Sequence, residues 1–380
     1  MYSFINTFAL CALTLTGFAN AGPINIEKRA ALAPIMGGVN FPDPAVIRTA
    51  DGWHLFSTNA NVGGKLIHVQ RAFTADWKTF TFRKGVDALP NIPAWVDPKA
   101  PRVWAPDVVR LNDGTFMMYY TAAYKAQPRL HCLGFATAKN INDPFVDTSS
   151  KPWICPTAKG GAIDIAGFTD EKNGHARYVV YKIDGNDIGH GGSCGNTVKP
   201  IVPTPIMLQK VAADGHILVG APTQILTNIV SDGPYVEAPS LTYMNGKYVL
   251  FFSSQCYTTT GYDVQYATAD KITGPYKRVG TVFKTGTLGL AAPGGLDLAI
   301  NGDHAVFHGF VHRFVSPSKA SASSNSPHNN DDDDDEFYFD AKHCKNFETK
   351  ADCKKRNYKK VRAAYVVTLK MSNGVMRASA

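Results

Sequence analysis

The sequence predicts an all-β fold, a five-bladed β-propeller with four-stranded antiparallel blades. Three observations predict it: the composition, five Asx-Gly turns at similar spacing, and a similar apolar strand before each turn. The 380 residues are 44% hydrophobic and 18% charged, with 33 Gly, 23 Pro, 21 Phe, 16 Tyr and 5 Trp. Such a chain is neither disordered nor a coiled coil. Long apolar patterns with a 3.6-residue period are missing, which argues against an α/β fold.

The N-terminus has the pattern of a secretory signal peptide. An apolar stretch from Phe4 to Phe18 is too short to span a bilayer and ends at the small-residue site Ala19-Asn20-Ala21. Residues 1–21 are therefore predicted to be removed, and the protein is expected to be secreted and extracellular. The dibasic pair Lys28-Arg29 is typical of a second processing site, which makes 22–29 a possible propeptide. Residues 30–380 are predicted to form one propeller domain.

The blades are counted by their turns. Asp-Gly and Asn-Gly pairs favour tight hairpins, because both residues tolerate positive φ. Each pair is followed by an aromatic or aliphatic segment, and the spacing of about 60 residues holds four short strands with their connections. A sandwich rich in such hairpins is the alternative. The five turns are Asp51-Gly52, Asp113-Gly114, Asn173-Gly174, Asn245-Gly246 and Asn301-Gly302.

Charge and cysteine content exclude several function classes. A charged, low-complexity insertion at about 316–360 contains the acidic run Asp331 to Glu336, followed by basic residues, and such runs are usually solvated loops. We find no nucleic-acid-binding motif and no further apolar stretch of membrane-spanning length, so we expect neither partner, and we expect a monomer. Six cysteines follow the leader and allow 15 pairings, of which proximity favours Cys344 with Cys353. No CxxC spacing indicates zinc or redox chemistry.

An acidic residue opens the first strand of each predicted blade. Because the innermost strands of a propeller surround one channel, these carboxylates are expected to converge, which is costly unless they serve a function. Glycoside hydrolysis needs such a set: one protonated acid, one ionised carboxylate, and a third acid that tunes the first. The five residues are Asp43, Asp107, Asp164, Glu237 and Asp297.

The segments around these acids resemble a known family. Phe41-Pro-Asp-Pro-Ala-Val, Trp104-Ala-Pro-Asp-Val, Ile163-Asp-Ile-Ala-Gly-Phe and Val236-Glu-Ala-Pro-Ser-Leu are similar to motifs of glycoside hydrolase family 43. Members are inverting five-bladed propellers that act on arabinan, arabinoxylan and related polymers. The resemblance runs from about residue 38 to 315 and resumes near Arg362.

The resemblance implies a role for each acid. Asp43 would be the general base that activates water, Glu237 the general acid, and Asp164 the residue that tunes the acid. Asp107 would line the sugar site. An inverting enzyme of this kind would place the carboxyls of Asp43 and Glu237 about 6.5 to 9.5 Å apart.

Two aromatic residues and one histidine complete the predicted site. Phe41 and Trp104 flank two of the acids and are predicted sugar platforms, with ordinary core packing as the alternative. By the same resemblance, His308 would contact a structural, mostly water-bound Ca²⁺ on the propeller axis. No cofactor is required for the chemistry. The Gly-rich segment from Asp184 to Asn196 is predicted to be a rim loop pinned by Cys194.

The function predicted from these features is that of a secreted inverting glycoside hydrolase of plant-wall polysaccharide, with an oligosaccharide or polysaccharide as its partner. Release of L-arabinofuranose from arabinan or arabinoxylan is favoured. A β-xylosidase, an endo-arabinanase and a non-catalytic carbohydrate-binding propeller are the alternatives. A retaining fructan-hydrolysing propeller is disfavoured, because the chain has Pro42-Asp-Pro-Ala where those enzymes carry Asn-Asp-Pro-Asn, and it has no Arg-Asp-Pro.

Overall fold

The structure is a computed structural model that describes residues 31–299, 303–313, 359–372 and 374–379. The predicted signal peptide and propeptide, nearly all of the charged insertion, the Cys344–Cys353 pair and the turn Asn301-Gly302 lie outside the described residues.

Five antiparallel sheets follow one another in chain order, which confirms the predicted five-bladed propeller. Blade 1 contains β1 (Ala45–Arg48) and β2 (Trp53–Ser57), then an inserted hairpin of β3 (Ala60–Val62) and β4 (Lys65–Ile67), then β5 (Gln70–Thr74) and β6 (Thr81–Phe82). Blade 2 contains β7 (Trp104–Arg110), β8 (Phe116–Tyr124) and β9 (Gln127–Ala138). Blade 3 contains β10 (Ala162–Asp170), β11 (Ala176–Ile183), β12 (Ile206–Val211) and β13 (Leu218–Leu226).

The last two blades also have four strands each. Blade 4 contains β14 (Val236–Met244), β15 (Lys247–Ser254), β16 (Asp263–Ala269) and β17 (Lys277–Phe283). Blade 5 contains β18 (Gly294–Leu298), β19 (His304–Arg313), β20 (Lys359–Ser372) and β21 (Val375–Ser379). The charged insertion therefore separates the second and third strands of blade 5.

Blade 2 departs from the predicted four strands. Its fourth position holds a segment that returns along β9 and pairs with it through two isolated bridges, Thr137 with Val146 and Leu133 with Ile154. Pro144 and Pro152 interrupt this segment. Because proline has no amide hydrogen to donate, a continuous ladder cannot form there.

Helices contribute little to the described ranges. They are six short 3-10 turns, and none is long and apolar enough to cross a membrane. Their bounds are Ile35–Gly38, Thr157–Lys159, Gly185–Ile188, Ser193–Gly195, Val230–Asp232 and Thr287–Gly289.

The predicted Asx-Gly turns join the first and second strands of the blades. In blade 4, Met244 pairs with Lys247, and the two residues between them, Asn245 and Gly246, have φ of 49° and 80°. Positive φ at both positions is what a tight two-residue hairpin turn requires. The turns at Gly52, Gly114 and Gly174 lie at the same point of blades 1, 2 and 3.

The blades pack on one another through aromatic and aliphatic side chains. Between blades 4 and 5, for example, the rings of Phe283 and Phe307 stack at 4.6 Å, and Phe307 stacks on Tyr365 at 5.8 Å. The first strands of neighbouring blades contact one another around the whole ring, from β1 through β18 and back to β1. They are therefore the strands nearest the propeller axis.

The ring closes through the N-terminal segment. Just before β1, the amide of Phe41 donates to the carbonyl of Arg362 on β20 at 2.8 Å, and Asn40 bridges to Ala363. Blade 1 is thus tied to blade 5 by backbone hydrogen bonds.

Two disulfides are present in the described residues. Cys132 is joined to Cys155 and Cys194 to Cys256. The first ties the proline-interrupted segment to β9. The second links the Gly-rich loop after β11 to the loop after β15, across blades 3 and 4. Sequence alone predicted neither of these two pairings, because each of the six cysteines has several candidate partners.

Candidate active site

A cavity that is open to solvent lies where the first strands of the five blades meet. Each blade contributes three consecutive residues to its wall. They are 43–45, 105–107, 164–166, 238–240 and 295–297.

One residue with positive φ stands at the start of each of these triplets. In blades 2 to 5 the pairing of the first and second strands shifts register at this point, so the strand bulges. Bulges re-aim side chains and are frequent beside active sites. The five residues are Asp43 (49°), Ala105 (41°), Asp164 (56°), Ala238 (48°) and Gly295 (58°).

The predicted acids occupy three different positions relative to the positive-φ residue of their blade. Asp43 and Asp164 are the positive-φ residues themselves, and Glu237 comes one residue before it. Asp107 and Asp297 come two residues after it. The structure therefore separates the five acids into two groups, with the three predicted catalytic acids at or just before the bulge and the other two beyond it.

Asp43 is surrounded by donors and a cation. Thr58 Oγ1 donates to its Oδ2 at 2.7 Å, and Nδ1 of His308 and Nη1 of Arg362 lie 3.2 and 3.5 Å from its Oδ1. Burial acts to raise the pKa of Asp43, but the Arg362 guanidinium and the His308 and Thr58 contacts outweigh it and hold the pKa well below its usual range. Asp43 is an ionised carboxylate, the state that a base requires.

Asp164 contacts the strand that carries Glu237. The amide of Ala238, the residue after Glu237, donates to Asp164 Oδ2 at 2.9 Å. Burial, followed by the nearby Glu237 carboxylate, raises the pKa of Asp164 to about 8, against a lowering effect of Lys182. The Asp164 carboxyl therefore holds a proton at neutral pH, beside the strand that carries Glu237.

Glu237 is 7% exposed and has two side-chain donors. The hydroxyl of Tyr262 donates to Oε1 at 2.8 Å, and Nζ of Lys182 donates to Oε2 at 3.0 Å. Sequence reasoning missed both donors. A signal for Lys182 exists, because a lysine within the otherwise apolar run Tyr178-Val-Val-Tyr-Lys-Ile has to be buried with a partner.

Asp107 and Asp297 form a second acidic pair in the cavity wall. Asp107 Oδ2 accepts from the amide of Gly167 at 2.6 Å, and Asp297 accepts from the amide of Val46 and the hydroxyl of Ser240. Burial, then the charge of Asp297, raises the pKa of Asp107 to about 8, and burial raises that of Asp297 to about 6. Backbone amides of neighbouring blades thus hold both carboxyls.

The two predicted sugar platforms have different surroundings. Phe41 has no exposed surface, and its ring meets Phe82 edge to face at 6.1 Å within the core. This placement corrects the expectation for Phe41, because a ring covered on all sides cannot contact a sugar. Trp104 is half-buried, stacks on His131 at 3.9 Å, and occupies in blade 2 the position that Glu237 occupies in blade 4.

His308 lies beside Asp43 on β19 and is 1% exposed. Its Nδ1 lies 3.1 Å from the amide nitrogen and 3.2 Å from Oδ1 of Asp43, and its ring stacks on Tyr262. Its Nε2 is buried without a hydrogen-bond partner among the described residues. When Nδ1 carries the proton and donates to Asp43, Nε2 offers a lone pair, which fits one imidazole ligand of a cation. The described part of the chain has no group of three or more His, Cys, Asp or Glu arranged to hold a metal ion.

The Gly-rich loop between Asp184 and Asn196 contacts Tyr235, two residues before Glu237. Its Cys194 is joined to Cys256, and Cys194 Sγ lies 3.2 Å from the hydroxyl of Tyr235. The same hydroxyl accepts from the amide of Tyr257 at 2.9 Å. Tyr235 stands two residues before Glu237, so the disulfide connects both loops to the strand that bears this acid.

Comparison with known proteins finds relatives and solved structures that match most of the chain. An extracellular endo-α-(1→5)-L-arabinanase of Bacillus subtilis (strain 168) is 24% identical over 308 residues, which cover 76% of this chain and 87% of that protein. The crystal structure of a thermostable family-43 glycoside hydrolase superposes with a TM-score of 0.64 at 16% identity, covering 92% of this chain and 96% of that one. A native arabinanase of Bacillus subtilis gives 0.56 at 19% identity, covering 92% and 100%.

The structural matches show the fold, and the family follows from the sequence. The model of the family described as "Glycosyl hydrolases family 43" matches residues 32–299, the range that carries four complete blades and the first strand of the fifth. The chain thus belongs to glycoside hydrolase family 43 and is an inverting glycoside hydrolase.

Proposed function

We propose that this protein hydrolyses α-L-arabinofuranosyl bonds of arabinan, with Asp43 as general base, Glu237 as general acid and Asp164 as the residue that tunes the acid. One observation carries the proposal: the ionised carboxylate of Asp43 and the proton-holding carboxyl of Asp164 line the same axial cavity, and Asp164 contacts the strand that carries Glu237. An inverting hydrolase needs both states at once.

The proposed reaction is a single displacement with two proton transfers. The ionised Asp43 takes a proton from the attacking water, while Glu237 gives its proton to the leaving oxygen. Water oxygen bonds to the anomeric carbon as the glycosidic bond breaks. Asp43 then carries a proton and Glu237 a charge, and exchange with solvent restores the starting state. Arg362 favours the ionised form of Asp43 before the step.

The choice of arabinan rests on the sequence comparison. The relative that this chain covers to 87% of its length is named for cleavage of α-(1→5)-linked arabinan. That name supports cleavage within the polymer over release of single arabinofuranose residues, the outcome favoured by the motifs alone. Product size decides between these two modes.

We also propose that His308, through Nε2, is one ligand of a largely hydrated Ca²⁺. The buried Nε2 without a hydrogen-bond partner in the described ranges supports this assignment. Such an ion would supply positive charge beside the carboxylates and would not generate the nucleophile. Secretion is proposed from residues 1–21 and from the extracellular relatives; N-terminal sequencing of protein from the culture medium tests it.

The function is tested with protein that begins at Ala30. Linear arabinan, arabinoxylan, xylan and aryl glycosides serve as substrates, and products are separated by size. We expect turnover of arabinan with oligosaccharide products, and its loss in Asp43→Ala and Glu237→Ala while circular dichroism shows that both variants remain folded at the assay temperature. Turnover of xylan but not arabinan would overturn the substrate assignment. Near-full activity in either variant would overturn the catalytic one.

A further inference from the structure

Lys182 is a buried charge that the proposed reaction does not use. It lies on β11 with no exposed surface. Its Nζ is 3.0 Å from Oε2 of Glu237 and 3.1 Å from Oδ1 of Asp184, and it stands 4.2 Å from the ring centroid of Tyr235. One ammonium group is therefore shared between a proposed catalytic acid and a second, non-catalytic carboxylate.

The burial of this group is costly unless its partners compensate. An ammonium ion removed from water needs close anions and hydrogen bonds to remain charged. Burial lowers the pKa of Lys182, but the charges of Asp184, Glu237 and Asp164 outweigh it and raise the pKa above its usual value. Lys182 is thus a permanent cation beside the acid.

A permanent cation at this place opposes the work of a general acid. Hydrogen bonds from an ammonium group favour the ionised carboxylate, whereas a general acid must carry a proton. Asp184 counteracts this effect, because it neutralises part of the ammonium charge. Asp184 is 5% exposed, so its charge is little screened by water.

We propose that Lys182 and Asp184 form a charge-setting pair, in which Lys182 positions the Glu237 carboxyl and Asp184 limits how much of the ammonium charge acts on it. The pair thereby sets the upper end of the pH range in which the site carries its acid proton. This proposal rests on the proposed role of Glu237. Lys182 and Asp184 are positioning residues, since neither is assigned a contact with the reacting atoms.

The other titratable groups that face Glu237 come from several elements. Tyr235 and Tyr262 have pKa values raised by burial, so both are neutral. Burial lowers the pKa of His308, which is also neutral. Burial, followed by the charge of Glu237, raises the pKa of Asp164 to about 8, so Asp164 holds a proton at neutral pH. Against this background, a change at Lys182 or Asp184 alters the charge beside the Glu237 carboxyl.

The test is the pH dependence of kcat/KM on arabinan for Asp184→Asn and Lys182→Met. Without Asp184, the full ammonium charge acts on the acid pair, so the alkaline limb is expected to move to lower pH by about 1 unit. Without Lys182, the limb is expected to move to higher pH by about the same amount. A merely structural role would lower stability in both variants but would not shift the limb in opposite directions.

The matched control is Asp232→Asn. Asp232 is a buried carboxylate paired with Arg278 at 2.7 Å in blade 4, and it is not part of the cavity wall. We expect this variant to lose stability and keep the parent pH profile. If Lys182→Met does not fold, Asp184→Asn alone tests the proposal. An alkaline limb of kcat/KM that stays in place or moves to higher pH in this variant overturns it.

Failure of this inference can be distinguished from failure of the proposed function. If Glu237→Ala keeps full activity on arabinan, Glu237 is not the acid and both proposals fall. If Glu237→Ala is inactive and the alkaline limb of Asp184→Asn does not move, the catalytic assignment stands and the charge-setting pair is refuted.

Discussion

Nη1 of Arg362 lies 3.5 Å from Oδ1 of Asp43, although 319 residues separate them in the chain. Arg362 belongs to the third strand of blade 5, and Asp43 immediately precedes the first strand of blade 1. The backbone bond between Phe41 and Arg362 that closes the ring fixes this neighbourhood. Closure of the propeller therefore brings the cation to the carboxylate that acts as base in our proposal.

Replacement of Arg362 should weaken the base at low pH. In Arg362→Gln, burial is no longer offset by the guanidinium, so the pKa of Asp43 rises. A larger fraction of Asp43 is then protonated in acid, and the acidic limb of kcat/KM should move to higher pH. Stability from this ion pair is present above the unfolded pKa of Asp43 and is lost as pH falls through the folded value. An acidic limb equal to that of the control Arg48→Gln would contradict this.

The Asp107–Asp297 pair should make stability depend on pH in the opposite direction. The pKa of Asp107 is raised to about 8 in the fold, so the folded state holds its proton more tightly than the unfolded chain. The free energy of unfolding of the parent protein should therefore fall as pH rises from about 4 towards 8. In Asp107→Asn it should fall by less over the same range. The measured quantity is the melting temperature of the variant minus that of the parent, with chelator present. This difference should be larger at pH 8 than at pH 5 by about 3 °C or more. A constant difference would show that Asp107 is not buried as a proton-holding carboxyl.

Phe41 and Trp104 should give contrasting effects when truncated. Phe41→Ala removes a fully buried ring and should cost about 3–5 kcal/mol of the free energy of unfolding, with KM nearly unchanged well below the melting temperature. Trp104→Ala removes a half-buried ring that directly precedes the cavity-wall residue Ala105, and it should raise KM about tenfold, equivalent to ~1.4 kcal/mol of binding. Denaturant unfolding and arabinan kinetics measure both. A large KM effect in Phe41→Ala with intact stability would reverse the two assignments.

Loss of the Cys194–Cys256 disulfide should affect both stability and substrate binding. The bond closes a loop of 62 residues, and removal of such a cross-link costs about 2–4 kcal/mol. The double variant Cys194→Ser, Cys256→Ser, which leaves no unpaired partner thiol, should melt at a lower temperature. Its KM for arabinan should rise while kcat stays near the parent value, because the loops near Tyr235 lose their tether. An unchanged KM would mean that the loop does not contact substrate.

Much of this fold could be predicted from the sequence because its signals are local. An Asx-Gly turn specifies a hairpin wherever it stands, so Asn245-Gly246 indicated the first two strands of blade 4 without knowledge of the rest. The position of each acid at the head of an inner strand followed from the same local pattern. In blade 2, Pro144 and Pro152 signal the missing ladder, but only once the returning segment is known to lie beside β9.

The remainder of the site depends on contacts that sequence spacing does not encode. Arg362 reaches Asp43 only through ring closure, and Lys182 reaches Glu237 only because blades 3 and 4 are neighbours. Phe41 and Trp104 both stand one or two residues before a positive-φ residue, yet Phe41 is fully buried in the core and Trp104 is half-buried and stacks on His131. Asp43 and Asp164 are positive-φ residues, whereas Glu237 comes one residue before one. The spacing of the acids in the sequence does not show this difference.

The most direct test of the catalytic assignment compares two leaving groups. The dinitrophenolate of a dinitrophenyl α-L-arabinofuranoside leaves without protonation. The leaving oxygen of an arabinan oligosaccharide needs a proton from the general acid. Glu237→Ala is predicted to lose about 10³-fold in kcat/KM on the oligosaccharide and less than about tenfold on the activated glycoside, while Asp43→Ala loses activity on both. Equal losses of Glu237→Ala on the two substrates would contradict the assignment of the general acid.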